Sequence, residues 1–263
     1  MKYREYVPRG PLAPFVQCFW TLEGAADNSS SPEPIYPDGC MEIVLNLADP
    51  FKRIHEDGRV ERQPAMFLVG QMDQCTRVQQ AGPVRAIGVR FRPGGARPFL
   101  WFPQQEVAGQ IVSLDSIEGR LKKQFEQAAF DARSNRERIA RMEALLIGRL
   151  RIKPEPRIEA ALHSIRTRLL LRAAIAESGW KERQFRRRFQ DVVGIGPKVF
   201  SRIIRFQRAL RAIERTGLLP AALECGYYDQ AHFIKDFKSF AGEAPATYTS
   251  RKHPLADHFV NGF

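Results

Sequence analysis

The chain has 263 residues, of which 44% are hydrophobic and 27% charged, as is typical of a globular protein. No apolar run approaches the roughly 20 residues that a membrane span needs, and the N-terminus lacks a hydrophobic signal core, so we expect a cytoplasmic protein. The four cysteines lie far apart without a Cys-x-x-Cys pair, which predicts buried thiols rather than a disulfide framework or a zinc knuckle.

The net charge of +12 is concentrated in the C-terminal part of the chain. Residues 151–253 contain 21 Lys and Arg against 10 Asp and Glu, whereas residues 1–150 contain 20 against 18. This excess favours a polyanionic partner, because each phosphate contact releases condensed counterions. Charge alone does not distinguish DNA from RNA or from an anionic membrane.

The first 112 residues contain short apolar runs separated by Pro-Asp-Gly and Ala-Gly-Pro turn signals. The runs are rich in β-branched and aromatic residues, which predicts strands of an antiparallel sheet or barrel. We place these strands at residues 15–22, 41–47, 65–69 and 84–91, with a polar loop over residues 24–34.

Residues 113–152 change to helical periodicity and predict two helices joined near residues 131–134. These helices connect two domains, form a dimer seam, or only pack on their own chain; the sequence leaves the three alternatives open. Residues 153–156, Lys-Pro-Glu-Pro, predict a hinge, because neither proline fits inside a continuing helix.

An internal repeat with an offset of 48 residues follows. It relates four pairs of residues: Phe185 and Phe233, Phe189 and Phe237, Gly194 and Gly242, and Pro197 and Pro245. Coincidences of this kind indicate a duplicated helical unit.

Each copy predicts a helix-turn-helix. The first copy consists of helices 169–177 and 182–192, and the second of helices 218–224 and 230–240, with a long helix over residues 198–214 between them. Gly194 and Gly226 suit the chain reversals after helices, and Asp229 is placed to cap the last helix. Pro220 is tolerated if Gly217 is the N-cap, because Pro220 then lies in the first turn.

The second helix of each copy has two different faces at 100° per residue. Phenylalanines form the inward stripe: Phe185 and Phe189 with Val192 in the first copy, and Phe233, Phe237 and Phe240 in the second. The outward residues are Arg183, Arg186, Arg187 and Gln190 in the first copy, and Ala231, His232, Lys235 and Lys238 in the second.

A helix with arginines on its outer face suits the major groove of DNA, where Arg binds guanine bidentately. The alternatives are a solvated basic face for the arginines and a surface or capping role for His232. We expect phosphate contacts, which position without specifying sequence, from Arg188, Gln190, Lys238 and Arg251.

Residues 179–189, Gly194-x-Gly-Pro197, and residues 225–233 continuing to Pro245 resemble the AraC/XylS-type regulators. The resemblance covers about residues 155–251. It implies seven helices, with two recognition helices in successive major grooves. It also implies base contacts from Arg183, Arg186, Arg187, Gln230, Ala231, His232 and Lys235.

Two residues depart from the family pattern. Lys181 stands where a capping Ser is usual, and Ile175 stands where a small residue is usual. The start of the first recognition helix is therefore less certain than the repeat itself.

Residues 11–16, 36–42 and 90–95 look like a sensory-type domain found in a branch of the same family, which implies a cupin-like β-barrel. The expected fold is thus a two-domain α+β protein, with an antiparallel β-barrel followed by helices and an all-α C-terminal domain. The expected boundaries are 1–112 for the sensor, 113–152 for a helical connector, 153–253 for the double helix-turn-helix domain and 254–263 for a tail.

The sequence predicts a sequence-specific transcription regulator without a cofactor or enzymatic activity. Its partners would be double-stranded DNA, a small-molecule effector, RNA polymerase if it activates, and a second copy if it dimerises; no membrane partner is expected.

One alternative is a cupin-like enzyme or metal-binding domain fused to a DNA-binding tail. Residues 1–150 contain one histidine, His55, so a metal site there would need Cys18, Cys40 and Cys75. Another alternative is a constitutive DNA binder with a purely structural N-terminal domain.

Overall fold

The computed structural model describes residues 1–27, 31–151, 154–168 and 170–250. The N-terminal half is built from two antiparallel sheets, one of six strands in the order β1-β2-β9-β4-β7-β10 and one of four in the order β3-β8-β5-β6. The strands are β1 Lys2–Tyr6, β2 Val16–Gly24, β3 Glu33–Ile35, β4 Met41–Asn46, β5 Lys52–Ile54, β6 Val60–Arg62, β7 Met66–Val69, β8 Thr76–Gln79, β9 Val84–Phe91 and β10 Ile111–Ser113.

The four predicted apolar runs are confirmed as strands β2, β4, β7 and β9, which pair with one another at the centre of the larger sheet. The predicted loop over residues 24–34 is wrong at its end, because Glu33 and Pro34 pair with β8. Its residues 28–30 lie outside the described part of the chain. Short polar strands such as β6, which is exposed throughout, were not predicted because they lack a buried face.

Two helices, α1 Leu114–Phe130 and α2 Asn135–Arg149, cover the barrel. Their apolar stripes, which include Phe125 and Met142, lie in the same buried cluster as Phe19 of β2. Of the three alternatives for this segment, the structure shows the stripes packed on their own chain. The Ser134 hydroxyl accepts a hydrogen bond from the Glu137 backbone N–H at 3.2 Å and caps α2.

In the described part of the chain, seven helices follow. They are α3 Pro156–Arg168, α4 Leu171–Ser178, α5 Glu182–Val193, α6 Pro197–Thr216, α7 Leu218–Glu224, α8 Gln230–Ala241 and α9 Pro245–Thr249. The start of α3 at Pro156 agrees with the predicted hinge, although Lys153 lies outside the described residues, as does Leu169 at the predicted start of the next helix. None of the described helices is both long and apolar enough to span a membrane.

The predicted inward stripe of the first unit packs on the core of the helical domain. Phe185 and Phe189 are fully buried, and Val192 is half-buried against the same cluster. Val193, which was not predicted to face inward, is fully buried as well, and Val192 also lies beside Gly94 of the barrel. The buried arc of α5 is wider than one stripe because α5 faces both its own domain and the barrel.

The barrel and the helical domain share a core. Residues 36–40, here called the docking loop, connect β3 to β4, and Tyr36 belongs to the buried cluster of the C-terminal helices. The Gln207 side chain on α6 donates a hydrogen bond to the Pro37 carbonyl at 2.6 Å. Gly39 lies so close to Phe200 that a Cβ atom there would be 2.8 Å from the ring.

We predict that Gly194→Ala lowers the free energy of unfolding by about 1–2 kcal/mol, because a left-handed residue with a Cβ is disfavoured by about that amount. Gly194 has φ +98°, and its Cβ would lie 3.0 Å from Gln71 Cγ and 3.2 Å from the Gln104 carbonyl oxygen. Urea unfolding followed by circular dichroism measures the change.

The matched control is Gly148→Ala on α2, where an added Cβ meets no atom within 4 Å. This variant should gain about 0.5–1 kcal/mol from helix propensity. Equal effects at the two positions would contradict the conformational role of Gly194.

Candidate nucleic-acid interface

Helix α5 presents a basic face because two phenylalanines hold its opposite side. Gly179, with φ +66°, ends α4 and turns the chain into α5. Phe185 and Phe189 are fully buried with ring centroids 5.7 Å apart, and Phe189 contacts Phe200 of α6 at the same distance. The packing fixes the rotation of α5 about its axis, so the residues opposite this stripe must face solvent.

The structure exposes four of the predicted residues on that outer face: Arg183, Arg186, Arg187 and Gln190. Arg186 forms an ion pair with Glu182 at 2.5 Å, one helical turn away. Exposed pairs of this kind contribute at most about 1 kcal/mol, so Arg186 can exchange Glu182 for a phosphate or base. Lys181 makes no capping hydrogen bond, in agreement with the missing Ser.

Arg188 lies apart from these residues. It borders a groove between α5 and the barrel, whose other walls include Pro93, Gly94 and Pro154. At 100° per residue, Arg188 is turned about 100° from both Arg187 and the buried Phe189. A phosphate contact from Arg188 would therefore come from the flank of the helix.

Helix α8 is also held by buried phenylalanines on one side, which leaves its basic side exposed. The Asp229 side chain accepts a hydrogen bond from the His232 backbone N–H at 2.7 Å, which confirms the predicted cap. Phe233 and Phe237 are buried, and the Phe237 ring lies 5.3 Å from Phe206 of α6. The exposed residues of α8 include Gln230, Ala231, Lys235 and Lys238.

His232 is partly held by its own domain. Its side chain is 40% exposed, its Nε2 atom lies 3.9 Å from a carboxylate oxygen of Asp236, and its ring lies 5.2 Å from that of Tyr227. Asp236 is buried and accepts hydrogen bonds from Arg202 on α6 at 2.8 and 3.1 Å. His232 therefore lies beside the exposed basic residues of α8, and it also neighbours Asp236 and Tyr227 of its own domain.

Helix α6 connects the two helix-turn-helix units. Phe200 near its start packs on α5, and Phe206, six residues later, packs on α8. With 20 residues, α6 spans about 30 Å. Phe200 and Phe206 are about 9 Å apart along the helix axis, so α5 and α8 pack on neighbouring turns of α6.

The remaining residues of the repeat lie at equivalent places in the two copies. Gly194 and Gly242 are the left-handed residues that end α5 and α8, and Pro197 and Pro245 begin α6 and α9. Gly226 has φ +76° between α7 and α8. Arg251 lies outside the described residues.

Sequence reasoning missed Tyr228 as a candidate contact. Its side chain is 90% exposed immediately before the Asp229 cap, which puts a large aromatic ring beside the N-terminus of α8. An aromatic residue directly before a helix cap was the available signal, because a buried role is already filled by Tyr227.

The docking loop brings the barrel into contact with α6 and α9. The Tyr36 ring lies 6.0 Å from Phe206 and 5.9 Å from Tyr248 of α9, while Gly39 touches Phe200. The Gln71 side chain donates a hydrogen bond to the Gly39 carbonyl at 2.7 Å and secures the loop from the barrel side.

A cavity inside the barrel adjoins the docking loop. Its lining is mostly apolar and includes Trp20, Phe51 and Phe67, and its polar end contains Asp38 and Glu42. Behind these carboxylates lies Arg90, whose guanidinium contacts Asp38 and donates to Glu42 at 2.8 Å. Asp38 therefore lines the cavity and, through its contact with Arg90, also holds the docking loop to the barrel.

Burial governs the protonation of this cluster. Desolvation raises the pKa of Glu42 to about 7, although the Arg90 guanidinium opposes the shift, and it raises the pKa of Asp38 as well. Desolvation also raises the pKa of the Cys18 thiol to about 12 and that of Cys40 further, so both thiols are neutral. Among the described residues, no group of three or more His, Cys, Asp or Glu side chains could hold a metal ion.

Two protein families match separate parts of the chain. Residues 160–251 match a family described as a helix-turn-helix domain, and residues 4–113 match a domain of unknown function (DUF6597). No curated protein sequence was found to be similar to the chain.

Two similar solved structures are both of ToxT from Vibrio cholerae. One is 9% identical with a TM-score of 0.44, and the match covers 88% of this chain and 96% of that one. The other, bound to an unsaturated fatty acid, is 10% identical with a TM-score of 0.43, and the match covers 90% of this chain and 95% of that one.

We predict that Glu42→Gln flattens the pH dependence of stability. The native pKa of Glu42, about 7, lies above its usual value of 4.5, so the native state binds this proton more tightly than the unfolded state. Its contribution to stability is present at low pH and is lost as the pH rises from about 5 to about 8. Urea unfolding across that range measures the slope.

The exposed Glu106→Gln variant is the control and should keep the wild-type slope. A wild-type slope in Glu42→Gln as well would show that Glu42 ionises in the native state as it does in the unfolded chain.

Proposed function

We propose that the protein is a sequence-specific regulator of transcription. The premise is that residues 160–251 form a helix-turn-helix domain of the AraC type. It would insert α5 and α8 into successive major grooves of double-stranded DNA. One observation carries the proposal: phenylalanine stripes on one side of both helices turn their Arg- or Lys-bearing sides to solvent.

In this proposal, α5 and α8 each contribute base contacts and phosphate contacts. Base contacts come from Arg183, Arg186 and Arg187 on α5 and from Gln230, Ala231, His232 and Lys235 on α8, with apolar contact alone from Ala231. Phosphate contacts come from Arg188, Gln190, Lys238 and Arg251, to which we add Tyr228 as a contact beside α8.

The proposed domain boundaries are 1–112 for the sensor, 113–152 for the connector, 153–253 for the DNA-binding domain and 254–263 for the tail. The barrel cavity is the proposed effector site. A ligand that displaces Asp38 would move the docking loop against α6 and α9, which couples the cavity to both recognition helices. Such a ligand acts only through different affinities for two arrangements of the domains. RNA polymerase, for an activator, and a second copy of the chain are further partners proposed on the family resemblance.

A regulator is better supported than an enzyme. The helix-turn-helix match accounts for the basic domain, and the two cysteines nearest the cavity's carboxylates, Cys18 and Cys40, have pKa values raised away from the thiolate form. The barrel then serves as a sensor or as a structural partner of the DNA-binding domain.

Selection from a random double-stranded DNA library should return sites with two sequence blocks about 10 base pairs apart, one for each helix. Arg187→Ala should then lose about 1–3 kcal/mol on the selected site and relax the preference within one block. Lys235→Ala should relax the other block. Fluorescence anisotropy with single-base variants of the site measures both effects.

Arg136→Ala on α2 is the matched control, since it removes one exposed arginine far from α5 and α8. It should leave both blocks unchanged. A single selected block, or loss of the same block in Arg187→Ala and Lys235→Ala, would contradict the two-helix mode of binding.

Lys238→Ala should weaken binding to all DNA sequences alike, because a phosphate contact carries no base information. The slope of log affinity against log salt concentration should become shallower by about one. Titrations at several salt concentrations, on the selected site and on unrelated DNA, measure this. A loss confined to the selected site would assign Lys238 to base recognition instead.

A further inference from the structure

The barrel cavity has a size that restricts its occupant. Its volume is about 120 Å³, and its walls come from both sheets, with Leu22, Val44, Val78 and Ile111 among the aliphatic residues. A cavity of roughly 150 Å³ lined by apolar side chains accommodates benzene. The apolar body of an occupant is therefore about one ring or a short branched chain.

The charge at the polar end of the cavity restricts the occupant further. Asp38 and Glu42 are the two charged residues among those that line it, and each side chain is 13% exposed. Arg90, 1% exposed, lies behind them and contacts both. When both carboxylates are ionised, the single guanidinium leaves this cluster short of one positive charge. A bound cation would supply that charge and stabilise the ionised pair in a site of low dielectric, whereas an anion would be repelled.

The aromatic lining favours a cation as well. Trp20, Tyr36, Phe51 and Phe67 border the cavity, and the Trp20 indole N–H donates to Glu42 at 3.1 Å, which fixes that ring beside the carboxylates. Aromatic faces attract organic ammonium groups through the ring quadrupole.

A second observation, independent of the carboxylates, points to a ligand. The Thr76 hydroxyl borders the cavity, its residue is 7% exposed, and it has no hydrogen-bond partner among the described residues. Buried hydroxyls in folded proteins nearly always have partners. A ligand that supplies a hydrogen-bond donor or acceptor inside the cavity would satisfy the Thr76 hydroxyl.

We propose that the barrel cavity binds a small organic amine, with its protonated amino group at Asp38 and Glu42 and its apolar body among the aromatic side chains. This inference rests on the proposed effector role of the cavity and names the chemical class of the effector. Asp38 also belongs to the docking loop, so the amino group binds at the residue that joins the cavity to the DNA-binding domain.

The test uses the full chain and three probes of one size: benzylamine, benzyl alcohol and benzoate. Calorimetric titration and thermal unfolding should show benzylamine binding at least about tenfold more tightly than benzyl alcohol, with benzoate weakest, because only the amine carries a compensating charge. Benzoate equal to or tighter than benzylamine, or no binding of benzylamine, overturns the proposal.

Two variants separate recognition from folding. Glu42→Gln should reduce the preference for benzylamine over benzyl alcohol to less than about threefold, because one of the two carboxylates is removed. Thr76→Val should raise the unfolding temperature, because it removes an unsatisfied buried hydroxyl, and yet weaken benzylamine binding. Glu106→Gln, at an exposed residue that does not line the cavity, is the charge-matched control.

DNA binding by the same samples, measured without probes, distinguishes the two possible failures. A protein that binds DNA but shows no preference for the amine overturns the ligand class alone. Loss of DNA binding by the wild type would overturn the proposed function. An unchanged preference in Glu42→Gln, with DNA binding intact, would show that the carboxylates do not select the ligand.

Discussion

The contact on which the architecture depends is the insertion of the docking loop into the aromatic core of the helical domain. Tyr36 lies against Phe206 and Tyr248, and Gln207 holds the Pro37 carbonyl from inside α6. Separating the halves would break this hydrogen bond and expose an aromatic cluster to water, and the exposure of the cluster is unfavourable. The barrel and the DNA-binding domain therefore have a defined relative position, which a sensor needs if it is to influence recognition helices.

The same α6 helix organises DNA recognition. It holds α5 through Phe200 and α8 through Phe206, and the Arg202–Asp236 ion pair secures α8 a second time. Because both units pack on one rigid helix, a shift of the docking loop against α6 would move the two units together rather than either one alone.

The sequence predicted the features that are encoded locally. The phenylalanine stripes, the Asp229 cap, Gly194 and the four long apolar strands follow from periodicity and turn chemistry, and the structure contains them. The short strands β3, β5 and β6 were missed because their pairing, rather than their composition, makes them strands.

The Tyr36 contact with Phe206 joins residues far apart in sequence that belong to no common pattern. Arg90 lies in the segment 90–95 that resembles the sensory-type domain, and only the fold shows that it is buried between Asp38 and Glu42. The exposed residues of α5 and α8 were predicted as a set, but the groove that Arg188 borders exists only because the barrel packs beside α5.

The shared core also bears on how such a protein can evolve. A barrel joined to a different helical domain would present Tyr36 and the Pro37 carbonyl to a surface without a matching aromatic pocket or a glutamine on its long helix. Gly39 would require, in addition, that the new partner accept a closely approaching backbone. The two halves are thus matched in part through Tyr36, Pro37 and Gly39 of one loop, and natural recombination between relatives would be constrained to exchange that loop together with α6.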